Sequence, residues 1–375
     1  MSELSYLEKL LDGVEVEWLS LSKVFNLRNG YTPSKTKKEF WENGDIPWFR
    51  MDDIRENGRI LGNSLQRISS CAVKGGKLFP ENSILISTSA TIGEHALITV
   101  PHLANQRFTC LALKESYVDC FDIKFLFYYC FSLAEWCRKN TTMSSFASVD
   151  MDGFKKFLIP LPCPDNPEKS LAIQSEIVRI LDKFTALTAE LTAELTAELN
   201  MRKKQYNYYR DQLLSFKEGE VEWKTLGEVA QFKRGTAITQ KQTTPGEIPV
   251  VANGPIPTYF HSESNRQGET IVIARSGAYA GYVSFWNQPI FLTDAFSVHS
   301  DLKIVKPKFI YHVLQNKQEH IHAMKKGAGV PHVRVKEFET YDIPIPPITE
   351  QERIVSILDK FDTLTNSITE GLPRE

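Results

Sequence analysis

Two stretches of this chain gather cationic, amide and aromatic side chains into glycine-punctuated loops. The first carries Arg28, Asn29, Tyr31, Lys35, Lys37, Lys38, Trp48, Arg50, Thr88, Ser89, Asn105, Gln106 and Arg107. The second carries Lys233, Arg234, Thr236, Asn253, Arg275, Ser276, Tyr279, Lys325, Lys326, His332 and Arg334. Arg and Lys suit the acceptors of guanine, Asn and Gln suit the adenine edge, and the cations also neutralise phosphate. The chemistry on offer is nucleic-acid recognition. Bond-making machinery is missing from the sequence. There is no G-x-x-x-x-G-K-S/T or G-x-G-x-x-G loop, and no G-x-S-x-G elbow. Pro164-Asp165 is not followed by the acidic-x-lysine of nucleases, and no N/D-P-P-Y/F tetrapeptide of amino-methyltransferases occurs. His320 and His322 are two apart and do not share a helix face. The six cysteines, Cys71, Cys110, Cys120, Cys130, Cys137 and Cys163, form no C-x-x-C pair. Zinc spacing is therefore absent, and they read as reduced packing thiols.

The loops are held by a duplicated framework. Val16-Glu17-Trp18 recurs as Val221-Glu222-Trp223, Arg28-Asn29-Gly30 as Lys233-Arg234-Gly235, and Asp45-Ile46-Pro47 as Glu247-Ile248-Pro249. Ile84-Leu85-Ile86 runs into Thr88-Ser89-Ala90 as Ile271-Val272-Ile273 runs into Arg275-Ser276-Gly277. Ile159-Pro160-Leu161-Pro162 matches Ile343-Pro344-Ile345-Pro346, and Ile177–Phe184 matches Ile354–Phe361. Order and spacing persist over far more residues than a solenoid repeat, so the chain holds two copies of one domain-plus-helix unit. Tyr209…Leu213-Leu214 before the second copy resembles Tyr6…Leu10-Leu11 before the first, which suggests a closed pseudo-two-fold with neighbouring termini.

Short apolar runs at 83–87, 96–100, 108–113, 271–274, 282–286 and 296–298 predict strands, and 121–138 and 307–326 predict helices. From about Ser170 to Leu214 apolar residues fall at helical spacing without Gly or Pro, through Ile173, Ile177, Ile180, Phe184, Leu187, Leu191, Leu195 and Leu199. Within it lie three tetrads, Thr188–Leu191, Thr192–Leu195 and Thr196–Leu199. A second stripe runs through Ile348, Ile354, Leu358, Phe361, Leu364 and Ile368. The expected class is α+β: two pseudo-symmetric domains separated by a long antiparallel two-helix coiled coil. Its leucines Leu187, Leu191, Leu195 and Leu199 form the spacer helix. One tetrad adds about 6 Å, between one and two base-pair steps of duplex DNA.

No apolar run reaches the length of a membrane span, and the N-terminus lacks a signal-peptide pattern, so a cytoplasmic protein is expected. The net charge of −2 is low for a nucleic-acid binder. Either the basic groups act locally or partners supply much of the phosphate contact.

The V-E-W starts, the I-P-L-P and I-P-I-P ends, the Q-x-x-I-V-x-I-L-D-K-F helices and the T-A-E-L ladder together resemble the specificity subunit of Type I restriction–modification systems, of the subgroup carrying TAEL repeats. The resemblance spans essentially the whole chain. It implies target-recognition domains at 14–167 and 218–346, a central helix with the tetrads at 168–217, and a distal helix at 347–375 whose end is supplied by 1–13. It implies a non-catalytic subunit that reads a bipartite target in double-stranded DNA across a gap of about 7 base pairs. It also implies two methyltransferase subunits, which carry S-adenosylmethionine and methylate adenine, and restriction subunits that join them. The chain itself is expected to hold no cofactor and no metal. A DNA-modifying enzyme in its own right would need a motif that is not there. A coiled-coil adaptor without DNA readout would leave the matching basic loops unexplained.

Overall fold

The structure, a computed structural model, describes residues 13–142, 147–325 and 331–371, with side chains to 363 in the last stretch. Tyr6, Leu10, Leu11, Lys326 and the side chains of Leu364 and Ile368 lie outside the described residues. The chain divides into two compact units, Met1–Ala189 and Glu190–Glu375.

In the first unit the strands Phe25–Asn29, Phe108–Leu113, Ser83–Ser87, His95–Ile98 and Ile60–Leu61 lie side by side in that order. A smaller sheet is ordered Arg67–Ile68, Ile46–Phe49, Leu103–Ala104. The second unit repeats the plan with Ala230–Arg234, Ala295–Ser300, Glu269–Ala274 and Val283–Asn287, then Tyr259–His261, Ile248–Val251 and Phe291–Leu292. The duplicated motifs at the two ends of each domain meet in a two-stranded ribbon. Trp18 is paired with Pro160 in the first unit and Trp223 with Pro344 in the second. A two-stranded ribbon has free edges, where proline's missing N–H is harmless.

Central strands are apolar on both faces because both faces are covered. All five residues of Ser83–Ser87 are buried, as expected for a strand sandwiched between layers. One layer is the helix Ile123–Lys139 (α1), whose Phe125, Phe127, Cys130 and Leu133 enter a core with Ile84, Ile86 and Leu111. The other is a core of Phe49, Ile68, Leu85, Ile98 and Phe108. α1 starts two residues later than the pattern suggests because Asp122 caps it, accepting from the amides of Lys124 and Phe125.

Among the described residues, three longer helices follow: Pro167–Leu213 (α2), Pro307–Asn316 (α3) and Ile348–Gly371 (α4). The expected helix over 307–326 is broken after Asn316, and Gln318–Ala323 forms a separate short helix. The break lets Gln318 bond to the backbone of Val283 and Gly281. α2 opens at Asn166, whose Oδ1 accepts from Lys169 N at 3.0 Å, with proline in its first turn. Its 47 residues give a rod of roughly 70 Å. Threonines fit in the ladder because Thr188 and Thr196 donate back to the carbonyls of Phe184 and Thr192.

Within the second unit α2 and α4 pack antiparallel. Tyr206 and Tyr209 meet Phe361 at 6.3 and 5.4 Å between ring centroids, while Leu214 joins a core with Ile354 and Leu358. Burial along the stripe is uneven: Leu199 is buried and Leu195 half-buried, whereas Leu187 and Leu191 are exposed. The cysteines are all free; burial pushes the Cys110 and Cys137 thiols up to about 12, as packing thiols require.

Candidate nucleic-acid interface

The equivalent loops converge at the same strand ends in both units, and two glycines set the geometry. Gly30 N donates to Phe108 O and Tyr31 N to Ala104 O; Gly235 N donates to Ala295 O and Thr236 N to Leu292 O, all within 2.8–2.9 Å. A Cβ on Gly30 would sit 2.1 Å from Asn105 O, and one on Gly235 2.6 Å from Leu292 O. The basic turn thus presses against the neighbouring loop, where no side chain fits.

In the first unit Asn29, Thr88, Ser89 and Arg107 come together. Thr109 Oγ1 links Asn29 Oδ1 at 3.1 Å to Thr88 Oγ1 at 3.2 Å, and Thr88 N donates to Arg107 O at 2.9 Å. Ser89 pairs with Ser148 as an isolated bridge. Gln106 accepts from Thr32 Oγ1, and Arg107 is exposed. Other expected readers spend their groups on the fold. The Arg28 guanidinium donates to Lys77 O and Leu78 O and covers the Phe79 ring at 4.9 Å. Tyr31 OH donates to Ala72 O and accepts from Lys74 N. Trp48 is only 3% exposed, and its Nε1 donates to Tyr31 O. Lys37 Nζ lies 5.1 Å over Phe40. Lys35, Trp48 and Arg50 line a cavity of about 500 Å³ with Lys38, Trp41 and Gln66. Trp41 and Gln66 were invisible as site residues in the sequence, since they become neighbours only through the small sheet.

The second unit builds a tighter cluster. Asn253 Oδ1 accepts from Arg275 N at 3.2 Å and Ser276 N at 3.3 Å. Its amide donates to Ser276 Oγ at 3.0 Å and to Asp294 Oδ2. Ser276 Oγ donates to Asp294 Oδ2 at 2.8 Å, and Arg275 Nη1 lies 3.6 Å from Asp294 Oδ1. The loop is sewn to the next segment: Val333 N donates to Arg275 O, Gly277 N to Pro331 O, and Ser276 pairs with His332. Lys325 Nζ donates to Ala278 O at 2.9 Å. Tyr279 stands 51% exposed against Tyr282. Lys233, Arg234, Thr236 and Arg334 are exposed. The strand end of Lys233 and Arg234 is held by Arg266, which donates to both carbonyls and to Ser297 Oγ. Asp294 and Arg266 were missed by the residue pattern. A lone acid gives no signal among basic loops, and Arg266 acts through backbone carbonyls.

Among the described residues, one group could in principle hold a metal: His312, Asp359 and Asp362, with ligand atoms within 4.8 Å of one another. Lys308 Nζ already lies 3.1 Å from Asp359, and His312 Nε2 3.0 Å. Burial pushes the His312 pKa down and keeps the ring neutral. The group reads as an interlock of α3 and α4. No helix is long and apolar enough to cross a membrane, among the described residues.

The family model described as "Type I restriction modification DNA specificity domain" matches residues 13–201 and again 218–375. The chain is 68% identical over 377 residues to the Type I restriction enzyme EcoprrI specificity subunit of Escherichia coli, covering 99% of this chain and 93% of that one. It is 40% identical to the EcoR124I/EcoR124II specificity subunit of the same species, covering 100% and 94%. Among solved structures, a chain from a study of complex assembly and conformational transition of the Type I restriction–modification system aligns with a TM-score of 0.67 at 16% identity, covering 95% of this chain and 93% of that one. The S subunit from M. genitalium aligns with a TM-score of 0.52 at 18% identity, covering 96% and 92%. At those identities the likeness is one of fold.

Proposed function

The chain belongs to the family of Type I restriction–modification specificity subunits, and from that premise we propose that its two units each read one half of a bipartite DNA target. It is the sequence-recognising, non-catalytic subunit of such a complex. The finer assignments follow. Residues 14–167 and 218–346 are the target-recognition domains. Residues 168–217 form the central helix of the TAEL-repeat subgroup. Residues 347–375 are assigned to the distal helix, of which Ile348–Gly371 is described; its expected completion by 1–13 falls, up to residue 12, outside the described residues. Two methyltransferase subunits dock on the helices, restriction subunits join them, and the assembly works in the cytoplasm.

One observation carries this reading: the same strand-end geometry recurs in both units, with different side chains in equivalent places. Thr88 and Arg275 leave matching strands at matching loops, yet one offers a hydroxyl and the other a guanidinium. Equal scaffolds with unequal tips suit two unlike half-sites. A coiled-coil adaptor would have no use for that arrangement. The low net charge fits division of labour, with methyltransferase subunits supplying much of the phosphate contact.

The test is to co-express the chain with its methyltransferase partner and sequence the methylated adenines. The expected pattern is two unlike half-sites separated by a fixed gap of about 7 base pairs. Methylation in one continuous sequence, or methyl transfer by the purified chain alone, would refute it.

A further inference from the structure

We infer that Arg275, anchored by Asp294, is the guanine-reading residue of the second domain, and that Asn253 and Ser276 position it. The inference rests on the proposed reading of DNA by this unit.

Asn253 has no capacity left for a base. Its oxygen takes two amides and its NH₂ is given to Ser276 and Asp294. An adenine edge needs both an acceptor and a donor from one amide. Asn253 therefore fixes the loop backbone at 275–276. Ser276 spends its hydroxyl on Asp294. What remains free in the cluster is the Arg275 guanidinium. It is half-exposed, and its one partner among the described residues is Asp294 at 3.6 Å. That distance is an ion pair that leaves the N–H fork available.

Asp294 also selects among ligands. It is held by three neighbours at a fixed point, with φ at 20° in a two-residue link between the strands Phe291–Leu292 and Ala295–Ser300. A phosphate approaching Arg275 would meet this carboxylate, and like charges that close repel. A guanine edge is neutral and offers O6 and N7 to the fork. Adenine puts an amino group where O6 would be, against a side chain that can only donate. Among the described residues, the first domain shows no such device at the equivalent place. Thr88 stands where Arg275 does, bonded to Thr109, so this guanine contact belongs to one half-site alone.

The test uses the complex of the full chain with its methyltransferase partner, read by sequencing methylated adenines in cells. The unaltered chain should require guanine at one or more positions of one half-site. Arg275→Ala should relax one of them, lowering discrimination there by roughly tenfold to hundredfold. The other half-site and the gap should stay as they were. Arg275→Lys should keep part of the preference, because an ammonium reaches the same acceptors without the fork. Asp294→Asn should relax that same position and strengthen binding to non-specific DNA, a readout that mere loosening of the loop would not give. If Arg275→Ala abolishes methylation, the Lys and Asn variants decide. An unchanged recognition sequence in these variants, relaxation at a position other than guanine, or a change in the other half-site would overturn the assignment. A bipartite pattern from the unaltered chain alongside any of those results would sink the assignment but leave the function standing.

Discussion

His312 Nε2 stands 3.0 Å from Asp359 Oδ1, tying α3 to α4 beside a second acid, Asp362. The first unit has the same tie in other residues. Lys124 Nζ and Tyr128 OH reach Asp182 at 2.8 and 2.6 Å, as Lys308 and His312 reach Asp359. The acid of the recurring I-L-D-K-F motif thus orients a long helix on its own domain, twice.

The second copy of this tie should make stability depend on pH. Burial, then the charge of Asp359, pushes the Asp362 carboxyl up to about 6, against Lys308 and Arg210. The folded state holds this proton more tightly than the unfolded chain, where the carboxyl titrates near about 4. Its contribution is therefore fully present below about pH 4 and lost as pH rises through about 6. Asparagine mimics the protonated acid at every pH. Asp362→Asn should match the parent's thermal midpoint near pH 4 and exceed it above about pH 6.5. Melting curves across that range check it; identical midpoints at pH 7.5 would show that the acid is not strained.

A second pair of equivalents, Gln174 and Gln351, carries more of the join. Gln351 is fully buried, donates to Ile304 O and Pro346 O, and accepts from Lys306 N. Gln174 donates to Cys120 O and Ser170 Oγ and accepts from Asp122 N. Alanine at either site leaves a buried amide and carbonyls unpaired, and should cost about 2–4 kcal/mol. Glutamate at 351 should be no better, because it sets a carboxylate oxygen against two carbonyls. Urea unfolding of the full chain measures this, and a loss under about 1 kcal/mol would remove these amides from the account.

The framework was legible because its signals are local. Val-Glu-Trp, Ile-Pro-Leu-Pro and the helical stripes declare period and boundary by themselves, and the structure pairs Trp18 with Pro160 and Trp223 with Pro344. The tips were less legible. Arg28 and Arg275 look alike in sequence, but one is bound to backbone carbonyls and the other faces outward beside Asp294. Such fates depend on residues about fifty positions away in one case and about twenty in the other. Asn253 has a side-chain type suited to base edges, yet its hydrogen bonds are all consumed within the cluster.

The glycine turns offer a test confined to one half-site at a time. A Cβ at Gly30 overlaps the Asn105 and Ala104 carbonyls, and one at Gly235 overlaps the Leu292 backbone. Backbone cannot rotate aside as a side chain can. Gly30→Ala and Gly235→Ala should each cost about 1–3 kcal/mol and push the facing loop outward. Methylation mapping should then show weakened selectivity in a different half-site for each variant. If both variants damage the same half-site, the two turns do not serve separate halves of the target.

The ladder can be shortened with little local penalty. Thr196 Oγ1 bonds to the carbonyl four residues back, at Thr192. Deleting Thr192–Leu195 puts Thr188 in that position, so the hydroxyl finds an equivalent carbonyl. Leu187 and Leu191 are exposed at 60% and 53%, so repacking around them removes little burial. The Glu198–Arg202 pair lies beyond the deletion and keeps its spacing. Four residues take about 6 Å from the helix and turn its far end by about 40°. On duplex DNA that length is between one and two base pairs. The deletion should therefore leave both half-sites intact and shorten the gap between them, most simply by one base pair. Methylated-site sequencing reads both quantities at once. An unchanged gap, or half-sites altered in sequence, would mean that the tetrads do not set the distance.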